Sequence, residues 1–190
     1  MQIQSLEIPA IKILTPERHG DHRGFFSEIY SKKALDKLGI SLEFVQENYS
    51  LSEHQYTVRG LHFQVPPAAQ AKLVQVVRGS VLDVAVDLRR GSPWFGKSVT
   101  AEISAENWRQ IYIPAGFAHG LCTLEPNTAV IYKVTAPYSP SHEHSIYWND
   151  PALGLNWPAN DGQVAISDKD RTAPKLIDYD SPFEYQGENS

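Results

Sequence analysis

The chain has 190 residues, which at about 150 residues per domain leaves room for one core, so a single domain over 1–190 is expected. Its 42% hydrophobic and 21% charged residues suffice to pack an interior and keep the chain dissolved, which excludes wholesale disorder. A net charge of −5 excludes a general attraction to nucleic acid or to an anionic membrane and leaves any anionic ligand to local arginines.

The one cysteine, Cys122, rules out an intramolecular disulfide and a cysteine-based zinc site and fits a reducing compartment. The opening MQIQSLEIPAIKIL has no secretory pattern, and no run of about 18 apolar residues occurs. A soluble cytoplasmic protein without membrane partners is the expectation.

The 12 Gly and 13 Pro fall at short intervals between runs of Val, Ile, Leu and aromatics too short for ordinary helices, the punctuation of an all-β chain. In chain order, the first strand is expected at 24–29. A peripheral helix follows at 31–38, with Ser31 as N-cap, Ala34, Leu35 and Leu38 at helical spacing, and Gly39 as its stop. Strands are next expected at 44–50 and 58–64. Residues 73–88, LVQVVRGSVLDVAVDL, read as a hairpin split at Arg78-Gly79-Ser80. In its second half Leu82, Val84, Val86 and Leu88 share a packed face, and Asp83, Ala85 and Asp87 share a polar one. Further strands are expected at 98–103, 110–113, 120–124 and 128–135, a number that suits a sandwich or barrel. GSPWFG lacks the lysine and the strand-to-helix context of a phosphate loop and reads as a turn. Beyond Tyr138 the chain reads as a packed irregular tail that frays in its last residues, YQGENS.

Chemistry concentrates in a few places. VRGLHFQ, 58–64, sets a basic side chain and an imidazole around a glycine, and strict alternation puts Arg59 and His62 on opposite faces. They share a site only if Gly60 marks a bulge. A histidine in a strand is more often a hydrogen-bonded structural residue than a catalyst. Lys72 shares parity with Val74 and Val76, so it enters the interior if they do, and a buried ammonium needs an anion. Tyr132 shares a face with Val130 and Val134, where a phenol either packs or donates a proton. IPAGFAHG sets His119 at the mouth of the next strand, as a ligand contact or a mere loop residue. Metal binding competes, because histidines on strands build open three-histidine sites. Gln64 stands where a second imidazole would be wanted, however, and His142-Glu143-His144 reads as a solvated turn. No metal is expected.

The blocks DHRGFFSE (21–28), FVQEN (44–48), VRGLHFQ (58–64), AKLVQVVRGSVLDVAVDLRRGSPWFG (71–96), IPAGFAHG (113–120), YKVTAPYSPSHE (132–143), WNDPALGLNWP (148–158) and SDKD (167–170) occur in that order. Together they resemble the dTDP-4-dehydrorhamnose 3,5-epimerase family of cupin-type nucleotide-sugar epimerases. The resemblance implies a jelly-roll β-barrel with short peripheral helices, a homodimer whose N-terminal region reaches into the partner's barrel mouth, a dTDP-sugar substrate, and no metal or organic cofactor. A C4 ketone makes the protons at C3 and C5 removable through an enolate. By resemblance, His62 is the base, Asp170 orients its ring and stabilises the imidazolium, Tyr132 is the donor on the opposite face, and Lys72 meets the enolate oxygen. Arg23 and Arg59 take the diphosphate. Glu28, Gln46, Asn48, His119, Glu143 and Lys169 match positions that contact nucleotide or sugar, and Phe26 and Tyr138 stack on thymine.

Glu47, Tyr49 and the segment PPAAQAK depart from the family's usual residues. The first two are expected beside the nucleotide pocket, where they would adjust base or sugar preference. The same scaffold serves 3-only and 5-only epimerases, and other readings are a metal-dependent cupin oxygenase and a non-catalytic nucleotide-sugar binding module. Solvent exchange, bound metal and turnover of a His62→Ala variant separate them.

Overall fold

A computed structural model describes residues 1–187. The strands are β1 (Gln2–Ser5), β2 (Lys12–Thr15), β3 (His19–Asp21), β4 (Gly24–Phe26), β5 (Gln46–Ser52), β6 (Val58–Gln64), β7 (Lys72–Arg78), β8 (Ser80–Asp87), β9 (Ser98–Ser104), β10 (Gln110–Ile113), β11 (Phe117–Thr123), β12 (Thr128–Val134) and β13 (Glu143–Ser145). The helices are α1 (Lys32–Lys37) and α2 (Asp168–Arg171). A six-stranded sheet in the order β1-β2-β10-β7-β12-β5 faces a five-stranded sheet in the order β13-β6-β11-β8-β9, and β3 and β4 form a separate ribbon. All strand pairs within these sheets are antiparallel. The all-β, cupin-like class is borne out.

Inward residues of both sheets, among them Val74, Val76, Val81, Ala85, Ile111, Leu121 and Val130, make the core between them. The outer faces are covered too. Leu61, Phe63, Val84, Val86 and Leu88 pack under Ile146, Leu153 and Phe183 of the C-terminal region, and Leu14, Leu73 and Tyr112 pack under Leu35 of α1 and Ile40. Sheets covered on both faces explain why β8 and β11 read as nearly continuous apolar runs.

Residues 73–88 are not a hairpin. β7 pairs with β10 and β12, and β8 pairs with β9 and β11, so the single residue Gly79 carries the chain from one sheet to the other. Gly79 has φ +75°, and a Cβ there would lie 2.4 Å from Thr128 Oγ1, so the crossing admits only glycine. Nor is one face of β8 polar and open, because Val81, Asp83 and Ala85 are buried toward the core.

Ser31 caps α1, its hydroxyl accepting from the Ala34 N–H at 3.4 Å, and Leu35 is buried. β6 and β10 have the expected bounds, whereas β5 starts two residues late, β4 stops at Phe26 and β11 begins at Phe117. The tail is irregular but anchored as far as Tyr185, whose N–H donates to Arg90 O at 2.9 Å. The expected fraying of residues 188–190 lies outside the described residues. Among the described residues, no helix is long and apolar enough to cross a membrane.

Candidate active site

The site begins with a defect in β6. Pairing with β11 steps from His119↔His62 to Leu121↔Arg59, so Gly60 and Leu61 together oppose the single residue Gly120. This extra residue is a β-bulge, and it turns Arg59 and His62 to the same side, where both line one cavity of 590 Å³. Gly60 has φ +117°, and a Cβ on it would sit 2.6 Å from Gly120 Cα and from His119 O. Glycine is therefore required for the two strands to close.

His62 Nε2 lies 2.6 Å from Asp170 Oδ1, and Asp170 Oδ2 accepts from the Gly60 N–H at 3.2 Å. Asp170 itself is placed by Ser167, whose hydroxyl caps α2 by accepting the Asp170 N–H at 3.2 Å. Burial pushes the Asp170 carboxyl up, but the His62 hydrogen bond and charge, with the Gly60 and Ser167 bonds, outweigh it and hold it below the usual range. The carboxylate thus orients the ring. Nδ1 of His62 has no protein hydrogen bond among the described residues, which makes it the nitrogen available to a ligand.

Lys72 and Tyr132 come from the facing sheet. The registers Val134↔Lys72 and Tyr132↔Val74 put them on adjacent strands with parity toward the core. Lys72 is 9% exposed, and its Nζ donates to His62 O at 3.2 Å. No carboxylate among the described residues lies within the 4.0 Å of an ion pair. Burial lowers its pKa from 10.5 to about 8, opposed by the charges of Asp83 and Glu143. Burial raises the Tyr132 phenol above its usual value, Arg59 opposing and Glu143 assisting, so the hydroxyl keeps its proton at neutral pH. A second cavity of 240 Å³ shares His62, Lys72 and Tyr132 with the first and adds Gln46, Asn48, Gln64, Tyr138 and Glu143. The three chemically active groups therefore stand where two chambers meet.

The other expected contacts divide. Arg59 spends two donors on Ser52 Oγ and Leu51 O, both at 3.1 Å, and retains three N–H groups for an anion. Lys169 lines the larger cavity, and it bonds Glu143, which also accepts from Tyr138 OH at 2.9 Å. Gln46 donates to Asn48 Oδ1 at 2.8 Å and accepts the Tyr138 N–H at 3.1 Å, so it also holds the loop that carries that ring. His119 is inside β11 rather than at its mouth, with Nε2 at 2.9 and 3.1 Å from the two oxygens of Asp83. Arg23, Phe26 and Glu28 reach neither cavity of their own chain. Arg23 pairs with Asp21 and its side chain is 78% exposed, while Phe26 is 71% exposed.

Two further readings change. Glu47 and Tyr49 alternate with Gln46 and Asn48 on β5 and line neither chamber. Glu47 pairs with Lys133, and Tyr49 is exposed. The triplet 142–144 is no solvated turn, because Glu143 and His144 join β13 on the edge of β6 and His144 stacks on Phe63. Gln64 is consumed structurally, donating to Ala68 O and Pro137 O and accepting from the Ser139 N–H. Asp83 went unread as a site residue. The signal was available in its parity with Val81 and Ala85.

The profile of a family described as dTDP-4-dehydrorhamnose 3,5-epimerase matches residues 5–178. A protein of that name from Sinorhizobium fredii (strain NBRC 101917 / NGR234) is 49% identical over 185 residues, covering 97% of this chain and 94% of its own. A crystal structure of dTDP-6-deoxy-D-glucose-3,5-epimerase from Legionella pneumophila Philadelphia 1, in complex with dTDP-4-keto-L-rhamnose, superposes with a TM-score of 0.92 at 44% identity, covering 98% of this chain and 99% of that one. The dTDP-4-dehydrorhamnose 3,5-epimerase of Bacillus anthracis str. Ames, with TDP and PPi bound, gives 0.88 at 46% identity over 92% and 98% of the two chains. With the sequence blocks, the two facing sheets and the family profile in agreement, the chain belongs to the dTDP-4-dehydrorhamnose 3,5-epimerase family of isomerases.

Proposed function

We propose that this chain epimerises C3 and C5 of dTDP-4-keto-6-deoxy-D-glucose to give dTDP-4-keto-L-rhamnose, using its own side chains. One observation carries the reading: an imidazole backed by a carboxylate projects from one sheet, and a phenol and an ammonium project from the other, around a shared chamber. His62 takes the proton next to the C4 carbonyl, and Asp170 stabilises the resulting imidazolium. Lys72 donates to the oxygen as it becomes an enolate, with the ammonium N–H groups not used on His62 O. Tyr132 returns a proton from the opposite face, which inverts the carbon.

Arg59 is assigned to the diphosphate, with Lys169 and His119 beside it and Tyr138 against the base. The exposed Phe26, beside Arg23 and Glu28, supports a homodimer in which the ribbon of one chain completes the partner's site. The protein is assigned to the cytoplasm, where a buried free thiol stays reduced. Incubation with dTDP-4-keto-6-deoxy-D-glucose and NMR of the product tests the assignment. Inversion at both carbons is expected, inversion at one would make the enzyme a mono-epimerase, and unchanged substrate would sink the proposal.

A further inference from the structure

We infer that Asp83 is a positioning residue of this reaction: sealed beneath the chamber, its carboxylate fixes His119 and keeps the Lys72 ammonium charged for the enolate oxygen. The inference rests on the role proposed for Lys72.

The two histidines of the site are cross-strand partners in the β6–β11 pair, and each directs Nε2 to a carboxylate. The two carboxylates differ. Asp170 shares its charge among His62, the Gly60 N–H and the Ser167 cap. Asp83 is 0% exposed, and both of its oxygens meet the same Nε2, with no other donor among the described residues. A buried carboxylate with one hydrogen-bonding neighbour keeps most of its field.

Geometry links that field to Lys72: the Lys72 Nζ donates to His62 O, its one hydrogen bond among the described residues, His62 faces His119 across the strands, and His119, which lines the same cavity as Lys72, rests on Asp83. The charges facing Lys72 from the surrounding elements are Asp83 on β8, Glu143 on β13, Asp170 on α2, Arg59 on β6 and Lys169 on α2, with the titratable His62, His119 and Tyr132 beside them. Glu143 is tied to Lys169 and Tyr138, and Asp170 is tied to His62. Among the described residues Asp83 and Asp170 are thus the acidic groups there without a lysine or arginine of their own, and of the two only Asp83 has a single hydrogen-bonding neighbour. It is also the first of the charges that counter the burial of Lys72, whose pKa nevertheless falls to about 8.

The test uses the full chain with the change Asp83→Asn, which can still accept from His119 but carries no charge. Removing a neighbouring opposite charge lowers a buried lysine by about one unit or more. The alkaline limb of kcat/KM is expected to move down by that amount, with kcat at pH 8 reduced about fivefold or more and KM within a few fold. Titration of the Lys72 ε-carbon by NMR in ε-¹³C-lysine-labelled protein should move equally. The change His119→Asn, which keeps the carboxylate, should leave the limb within a few tenths of a unit.

An unmoved Lys72 titration in Asp83→Asn overturns the inference and leaves the proposed function standing. A moved titration in a chain whose unaltered form lacks epimerase activity overturns the function alone. An alkaline limb that shifts as far in His119→Asn overturns the charge argument. Should Asp83→Asn fail to fold, the unaltered protein decides. Lys72 titrating near 8 is expected, and a value below about 6, that of an uncompensated buried lysine, overturns the inference.

Discussion

At the scale of single residues, the proposed chemistry depends on three side chains, two of which, Lys72 and Tyr132, burial has tuned in opposite directions. His62 stays in contact with the chamber while Asp170 holds its other nitrogen, and in the proposed reaction the ring works on the sugar rather than the nucleotide. His62→Ala is expected to cut turnover at least about 100-fold, the usual worth of a general base, with the dTDP dissociation constant by calorimetry within a few fold. A large loss of dTDP binding would mean the residue holds the nucleotide. In the proposed reaction the ammonium of Lys72 sets the pH response. It is present below its pKa of about 8 and lost above it, so kcat/KM falls as pH rises through that value, and Lys72→Met removes this limb with most of the activity. A profile flat to pH 10 would remove Lys72 from the mechanism. Parity placed Lys72 and Tyr132 inside, since each sits two residues from an inward valine, and the family resemblance gave them their roles. Asp83 escaped the same reasoning because a carboxylate in an alternating strand suggests a wet face, and its parity with the buried Val81 and Ala85 was outweighed by the wholly apolar parity of Leu82, Val84, Val86 and Leu88.

At the scale of elements, the bulge in β6 decides whether there is a site at all. The sequence made this conditional on Gly60, and the register step supplies the condition. Gly60→Ala must place a methyl 2.6 Å from the backbone of β11. With the cost of a positive φ, this should remove about 1–3 kcal/mol of stability, read as a lower urea midpoint, and disable Arg59 and His62 together. An unchanged midpoint with full activity would mean the bulge is dispensable. β6 was readable because a local composition, glycine among apolar residues, dictates a local distortion. The β7–β8 link was not, because whether two adjacent runs pair depends on strands far along the chain: β10 and β12 take one, β9 and β11 the other. The short β1, β2 and β13 were invisible for a related reason: β1 and β13 are edge strands held by one neighbour, and the four residues of β2 are held between β1 and β10 rather than by a pattern of their own.

At the scale of the whole molecule, two sheets covered on their outer faces leave the chamber between them as the place where polar groups gather. The ribbon β3–β4 stands outside this arrangement with Phe26 and Arg23 in solvent, which a dimer would put to use. Phe26→Ser should weaken dTDP binding about tenfold, the worth of a lost aromatic stack. Mixing it with the inactive His62→Ala chain and allowing exchange should restore roughly a quarter of the wild-type sites, those that pair an intact ribbon with an intact imidazole across a two-fold interface. No recovery, with a monomer by sedimentation equilibrium, would end that reading. The central claim, that a base on one sheet and a donor on the other act on opposite faces of one sugar, is tested most directly by proton NMR of the hexose after turnover in D₂O. Deuterium at C3 and at C5, with exchange surviving and inversion failing in Tyr132→Phe, is the predicted result; a product free of deuterium at both carbons would contradict it.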